Sequence, residues 1–539
     1  MFQFTSLVSN PFASRSTPPE SPPQQPVVSE EAATAPNSFP FLRLPLELRE
    51  QIYSIYFNPA DHLVKSTELE AKGFFGGLYR WDFDLLRVNR QVYDEAKRVW
   101  RRENVFVKVA TPWPSAGMYR VYLMATEGLP ELLEHTATTL GGIRGRLSHI
   151  SSEGLVPIVC TDARADAFTS HHAAVQITAP FHGVVPEHMV VMLVDDLHLF
   201  TKTWYYSSLS YPMLNERLFT AFVLRNPYAK HNDEDEGTQE ERGEQQGLGV
   251  PIALQRRLLL PFEHVKGLHG TSVHGYSPAV REELARLQAK PIPTLRESVE
   301  SATDFMLAGD AALASSSNVD ANTNDDDPDA QAANKDAALQ ALELYTKAFH
   351  AIHILIHGRT RRVLADDFFH DSITSGRYAG QTGITVRVVL RLKLVSRTVA
   401  AYNRLGQWGD AAFWGFRTVQ ILQESFNTDF EHFLADFIEG PDAGLVYVRA
   451  GIAFWHMEKN KEAWLGELIS YADEPVAESG RLWAAARRFV KPAASADVRK
   501  ELQSYGVPQA MINLFSDVVT RDVVESTVAD DAGSGTSAG

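Results

Sequence analysis

Apolar positions recur in three different ways along the chain, and the changes between them divide it. Residues 1–38, with STPPESPPQQP and VVSEEAATAP, show no apolar period and read as a disordered tail. Then FLRLPLELREQIYSIYF (41–57) places Leu48, Ile52, Ile55 and Tyr56 at i, i+4, i+7 and i+8, one face of a helix. Pro45 suits a first helical turn, and Glu47 complements the helix dipole there. Beyond an insertion at 58–82 that contains Gly73, Gly76 and Gly77, helical spacing returns in Leu86, Val92, Ala96 and Val99. Val105, Val107 and Val109 then alternate as a strand does. Residues 39–110 are thus expected to run helix, insertion, helix, strand.

From 111 to 293 the pattern is mixed and mainly β: VPIVCT, AAVQITAPF, HMVVMLVDDLHLF and LLLPFEHVKGLHGTSVHG carry β-branched or alternating runs between turn residues. From 294 it becomes helical and stays so, through LRESVESATDFMLAGDAAL, ALQALELYTKAFHAIHILIHG, VRVVLRLKLVSRTVAAYNRLG, DAAFWGFRTVQILQESF and AGLVYVRAGIAFWHMEKN. Helices are expected on through 485–528, and DDAGSGTSAG at 529–539 reads as a frayed tail. The fold class is α+β, with a helical N-terminal module, a mixed middle and a helical C-terminal half.

Charge refines this picture. The formal net charge is −16, which argues against nucleic acid as the partner, since phosphate neutralisation needs clustered Lys and Arg. Much of the acid sits in two low-complexity segments, an expected surface insertion at 230–249 and an expected loop at 315–336. The single cysteine, Cys160, excludes an intramolecular disulfide framework and a Cys-rich zinc module, which points to a reducing compartment, cytoplasm and/or nucleus. No run of about 18 uncharged apolar residues occurs, so no membrane is expected.

Candidate chemistry does not converge. His350, His353 and His357 fall at i, i+3 and i+7 of a predicted helix near Asp366, Asp367 and His370, but i and i+7 are too far apart on a straight helix to share one ion. His264, His269 and His274 recur every five residues in a β-like run, so neighbours point to opposite faces. GTSVHG is not a Gly-x-Ser-x-Gly elbow, and neither a dinucleotide fingerprint nor a phosphate loop is present. Cys160 follows an apolar run and reads as buried and inert. The expectation is a non-enzymatic protein with no cofactor and no metal.

The C-terminal helices carry a repeated step. Tyr402 and Ala411 lie nine residues apart across LGQWGDA, and Phe454 and Ala463 repeat that step after Tyr447, Ala450 and Gly451. A third copy is split by the acidic loop: Gly309 and Ala312 begin it, and Ala341, Tyr345 and Ala348 finish it. The pattern resembles the tetratricopeptide family over roughly residues 294–475, within a helical domain drawn at 294–484. The resemblance implies stacked helix pairs whose concave surface holds peptides or proteins. Lys393, Arg397 and Arg404 lie near one helical face, with Arg387 and Arg391 on a neighbouring stripe and Asp410 the only acid nearby in sequence. In an acidic protein that stripe reads as an anion-accepting peptide groove, beside the plainer reading of a solvated face.

Leu44-Pro45-x-Glu47-Leu48, Ile52 and the later LLRVNRQVYDEAKRVWRRENVFV together resemble the N-terminal module of fungal F-box-like proteins of the type named for two Glu-x-Arg motifs. Glu47-Leu48-Arg49 supplies the first motif, and Glu95-Ala96-Lys97 is a conservative departure from the second. The resemblance implies docking of Leu44, Pro45, Leu48 and Ile52 on the small adaptor of a cullin-type ubiquitin ligase, while the repeat domain captures an unknown target. The alternative is a scaffold unrelated to ubiquitin, in which the same side chains seal this chain's own core. An accessible Leu44/Leu48/Ile52 face separates the two.

Overall fold

The computed structural model describes residues 40–66, 68–69, 74, 76–111, 155–179, 188–210, 213–228, 249–315, 328–425, 442–460, 479–487, 489–490 and 494–516. The expected tails, nearly all of the acidic insertion at 230–249, residues 316–327 of the acidic loop and Ala463 lie outside the described residues. The chain forms two compact units, one ending at Lys290 and one starting at Pro291.

In the first unit a 3-10 turn, Phe41–Arg43, leads into α1 (Leu46–Tyr56). A two-residue antiparallel pair, β1 (Leu63–Val64) with β2 (Leu78–Tyr79), lies in the insertion before α2 (Arg90–Glu103). Asn89 caps α2 by accepting the Val92 N–H at 2.9 Å, one of the donors that a helix start leaves unpaired. The predicted stripe Val92, Ala96 and Val99 is buried against Tyr53 and Phe57, and Leu86 packs at its edge from the turn that precedes α2.

The chain passes from α2 into β3 (Phe106–Thr111), near the middle of a six-stranded mixed sheet. With β4 (Cys160–Thr161), β5 (Ala173–Thr178), β6 (His188–Leu193), β7 (Phe219–Leu224) and β8 (Gly270–His274), the order is β4-β6-β3-β5-β7-β8. β3 runs parallel to β5 and antiparallel to β6, and β7 runs parallel to β8. Alternation sends Val107 and Val109 into the larger core and Phe106 to the opposite side, where it meets Phe168 and Val191. The larger core is closed by α3 (Leu197–Ser210), α4 (Ile252–Leu259) and α5 (Pro278–Gln288). Among its described residues the middle region is therefore mixed rather than mainly β. LLLPFEH, expected as β, is the end of α4 and a 3-10 turn, Leu260–His264. A continuous apolar run has no period that separates strand from buried helix, and here Leu258, Leu259 and Phe262 all face the sheet core. His264, His269 and His274 consequently occupy a turn, a loop and a strand.

The second unit begins with α6 (Leu295–Ser315) packed on α7 (Pro328–Ala351). Gly309 lies against the Tyr345 ring with no room for a Cβ, so the absence of a side chain sets how closely the helices approach. α7 covers the second part of the segment expected as an acidic loop, because Ala-rich AQAANKDAA has high helix propensity. A hairpin of β9 (Ile354–His357) and β10 (Thr360–Val363) replaces the expected continuation of that helix. α8 (Gly383–Arg404), α9 (Trp408–Ser425), α10 (Asp442–Asn460), α11 (Ser479–Ala486) and α12 (Ser495–Ser504) follow, and they contribute to one continuous core. α+β holds for the described chain, and no helix among the described residues is long and apolar enough to cross a membrane.

Candidate docking face on the first helix

Helix α1 turns Arg49 inward and its aliphatic residues outward. Arg49 and Tyr53 are buried, whereas Leu48, Ile52 and Ile55 are 45%, 41% and 71% exposed. The last three fall at i, i+4 and i+7, one stripe down the outer side. Leu42 and Leu46 are also exposed at the start of the helix. Pro45, at the N-cap, is exposed, and Leu44 is half-buried. Of the four docking residues expected from sequence, Pro45, Leu48 and Ile52 are accessible and Leu44 is partly so.

The orientation follows from one ion pair. The Arg49 guanidinium meets the Glu95 carboxylate through two bonds, Nε to Oε2 at 2.9 Å and Nη2 to Oε1 at 2.7 Å. This two-pronged geometry is the strongest form of the Arg–carboxylate pair. Nη1 donates to the carbonyls of Leu42, at 3.2 Å, and Leu44, which fastens the approach to α1. Tyr53 OH and Gln91 Nε2 donate to the same carboxylate, at 3.0 and 2.9 Å. The Arg49 bonds, against the cost of burial, hold the Glu95 carboxyl at about 2, well below the ordinary 4.5. Burial and the neighbouring Glu95 push the Tyr53 phenol up to about 12.

Arg49 thus occupies the inward position that an apolar residue would ordinarily take, and Leu48 and Ile52 are displaced to the surface. The two Glu-x-Arg-like segments supply the pair, Arg49 from the first and Glu95 from the second. Both segments are recognisable in the sequence, but nothing in it joins them. Ile55 belongs to the helix face expected from the sequence but not to the expected docking set, although it is the most exposed of the three. Exposed large apolar side chains concentrate in this part of the first unit, which also presents Phe83, Val88 and Tyr93. Scattered exposed apolars need no explanation, whereas a contiguous stripe is a candidate interaction surface.

In the second unit, Arg397 and Arg404 line a pocket of about 310 Å³ with Tyr345, Leu445 and Arg449. Lys393 is not part of that lining. Asp410 is not the acid that matters there. Asp310, from α6, accepts from Arg397 Nε at 2.8 Å and from Tyr345 OH at 2.9 Å, while Asp410 pairs with Arg359. Arg449 is held by Glu501 at 2.8 Å. The expected cationic stripe is therefore partly neutralised by carboxylates from helices distant in sequence. Arg387 is buried, its guanidinium bonded to the carbonyls of Ile352, His353 and Leu364 and to Asp366.

The histidine clusters do not assemble. His353 is buried at a positive φ of 56°, just past the end of α7, and His357 lies in β9, so the three histidines share no helix face. Among the described residues no group of three His, Cys, Asp or Glu has metal-holding geometry. Burial pushes the Cys160 thiol up to about 11. Comparison of the chain with family models, with curated proteins and with solved structures finds no match.

Proposed function

We propose that residues 39–110 form an F-box-like docking module and that the chain is a non-enzymatic adaptor, recruiting a protein target to a cullin-type ubiquitin ligase. The observation that carries this reading is the accessible Leu48/Ile52/Ile55 stripe on α1, held outward by the buried Arg49–Glu95 pair. A helix that offers a few apolar anchors suits a groove in a partner, where a small number of side chains carry most of the affinity. If the same residues sealed this chain's own core, they would be buried as Tyr53 and Phe57 are. The second unit, read as a tetratricopeptide-like scaffold, would hold the target, with the Arg397/Arg404 pocket as its candidate contact. Cytoplasm and/or nucleus is the compartment in which such a protein would work.

Binding of the purified chain to the purified cullin adaptor, followed by size-exclusion chromatography, tests the reading. The wild type is expected to co-elute with the adaptor, and Leu48→Asp and Ile52→Asp, with unchanged circular dichroism, to elute alone. A folded wild type that never binds the adaptor removes the ligase reading. An interaction scaffold unrelated to ubiquitin then remains, because the exposed stripe still requires a partner.

A further inference from the structure

Away from the α1 stripe, the first unit contains a cavity of about 890 Å³, within the size range of small-ligand sites. One wall is the C-terminal half of α2, which supplies Lys97, Arg98, Arg101 and Arg102, and Asp94 is the one carboxylate among the described lining residues. Arg102 is paired with Glu50 and Glu103, and Lys97 lies over the Tyr93 ring and donates to its hydroxyl. Arg98 and Arg101 make no ion pair among the described residues, and their i, i+3 spacing brings them together on one helix face. Arg101 is stacked on Tyr228, its guanidinium carbon 4.4 Å from the ring centre. Val105, Val250, Pro251 and Leu254 supply an apolar side.

The polar groups at the base of this cavity are incompletely bonded. His172 is 6% exposed, its ring is edge-on to Tyr228 at 5.5 Å, and its buried Nδ1 has no hydrogen-bond partner. The buried Tyr228 hydroxyl has none either. The adjacent His171 is satisfied on both nitrogens, donating from Nδ1 to the Phe168 carbonyl and accepting at Nε2 from Arg225. A buried polar atom left unpaired costs on the order of 1–3 kcal/mol, and these two lie beside Arg98 and Arg101.

We propose that this cavity is a binding site for a small organic phosphate, its phosphoryl group between Arg98 and Arg101 and its organic part against Val250, Pro251 and Leu254. A phosphoryl group offers three oxygens in tetrahedral array, enough to take both guanidinium groups at once, whereas a carboxylate offers two. The apolar side and the volume call for more than an inorganic anion. A nucleic acid is disfavoured because its backbone needs an extended cationic track, and this one is confined to one helix face in a chain of net charge −16. Burial pushes the Tyr228 phenol up to about 12, so it is a hydrogen-bond donor at neutral pH, and pushes His172 down to about 4, so its ring is neutral there.

The test is calorimetric titration of the full-length chain with phenyl phosphate, with inorganic phosphate and benzoate as comparators, and it requires no adaptor. Phenyl phosphate is expected to bind saturably, at least about tenfold tighter than either comparator, since only it engages both the cations and the apolar wall. Arg98→Gln and Arg101→Gln, each with an unchanged melting temperature, are expected to weaken it by about tenfold. Absence of saturable binding, equal binding of the three anions, or undiminished binding by both arginine variants would overturn the proposal.

Discussion

Helices α1 and α8 each carry aliphatic residues at helical spacing and each bury one arginine, yet they place their apolar side chains oppositely. In α8, Val386, Leu390, Leu394 and Val399 enter the core of the second unit, and Arg387 is accommodated near the start of the helix by three carbonyls, Asp366 and the Phe369 ring. In α1, Arg49 takes a place within the inward stripe, and Leu48, Ile52 and Ile55 face outward. A buried charge is tolerated in both because each guanidinium makes four hydrogen bonds, which offsets the desolvation cost. Apolar spacing therefore identifies a helix, while a partner distant in sequence decides which side faces the core. For α1 that partner is Glu95.

Removing Glu95 should have the largest effect. Glu95→Ala leaves the Arg49 guanidinium buried without its carboxylate, and loss of one member of a buried pair typically costs about 3–5 kcal/mol, read by chemical denaturation of the first unit. Asp366→Ala, the corresponding change at Arg387, should cost under about 1 kcal/mol, because that carboxylate is 66% exposed and three carbonyls remain. Similar losses for the two variants would contradict the contrast drawn between the helices.

Truncation of matched leucines is the next contrast. Leu394→Ala should destabilise the second unit by about 2–5 kcal/mol, through lost burial and the cavity left behind. Leu48→Ala should fall within about 0.5 kcal/mol of wild type while weakening adaptor binding. Substantial destabilisation by Leu48→Ala would mean that the stripe belongs to this chain's own core.

The smallest effect is a pH dependence. Glu95 has a folded value of about 2 against an ordinary 4.5, so its contribution is fully present above about 4.5 and is lost as pH falls toward 2. Asp196 is opposite in sign: burial, in spite of the bond from Tyr79 OH at 2.9 Å, raises it to about 6 from an ordinary 3.8. Its contribution therefore declines as pH rises from about 3.8 to 6. Denaturation at pH 6 and pH 3 should narrow the stability gap between wild type and Glu95→Gln at the lower pH. A gap that stays constant would show that Glu95 does not titrate as the bonded carboxylate described.

Much of the local structure was legible in the residues themselves. The Val92/Ala96/Val99 stripe, the Val105/Val107/Val109 alternation and the helical second half followed from period alone. Two segments misled for a common reason: LLLPFEH and AIHILIHG are short apolar runs without a clear period, and the core around each selected helix for the first and strand for the second. At the second, Gly358, with φ of 56°, makes the hairpin turn that a continuing helix would forbid. The apolar stripe on α1 was legible as a set of residues but not as an exposed surface, because the Arg49–Glu95 pair joins positions 46 residues apart. The neutralisation of Arg397 by Asp310, 87 residues away, was hidden in the same way.

Thiol labelling tests the orientation of α1 most directly. With Ile52→Cys and Ala96→Cys made separately, and Cys160 a slow background because its thiol is half-buried and raised to about 11, the account predicts labelling at position 52 near the rate of an unstructured peptide and suppressed by the cullin adaptor, with position 96 protected throughout. Protection of position 52 in the isolated chain, or labelling there that the adaptor leaves unchanged, would contradict an outward apolar face that serves to dock.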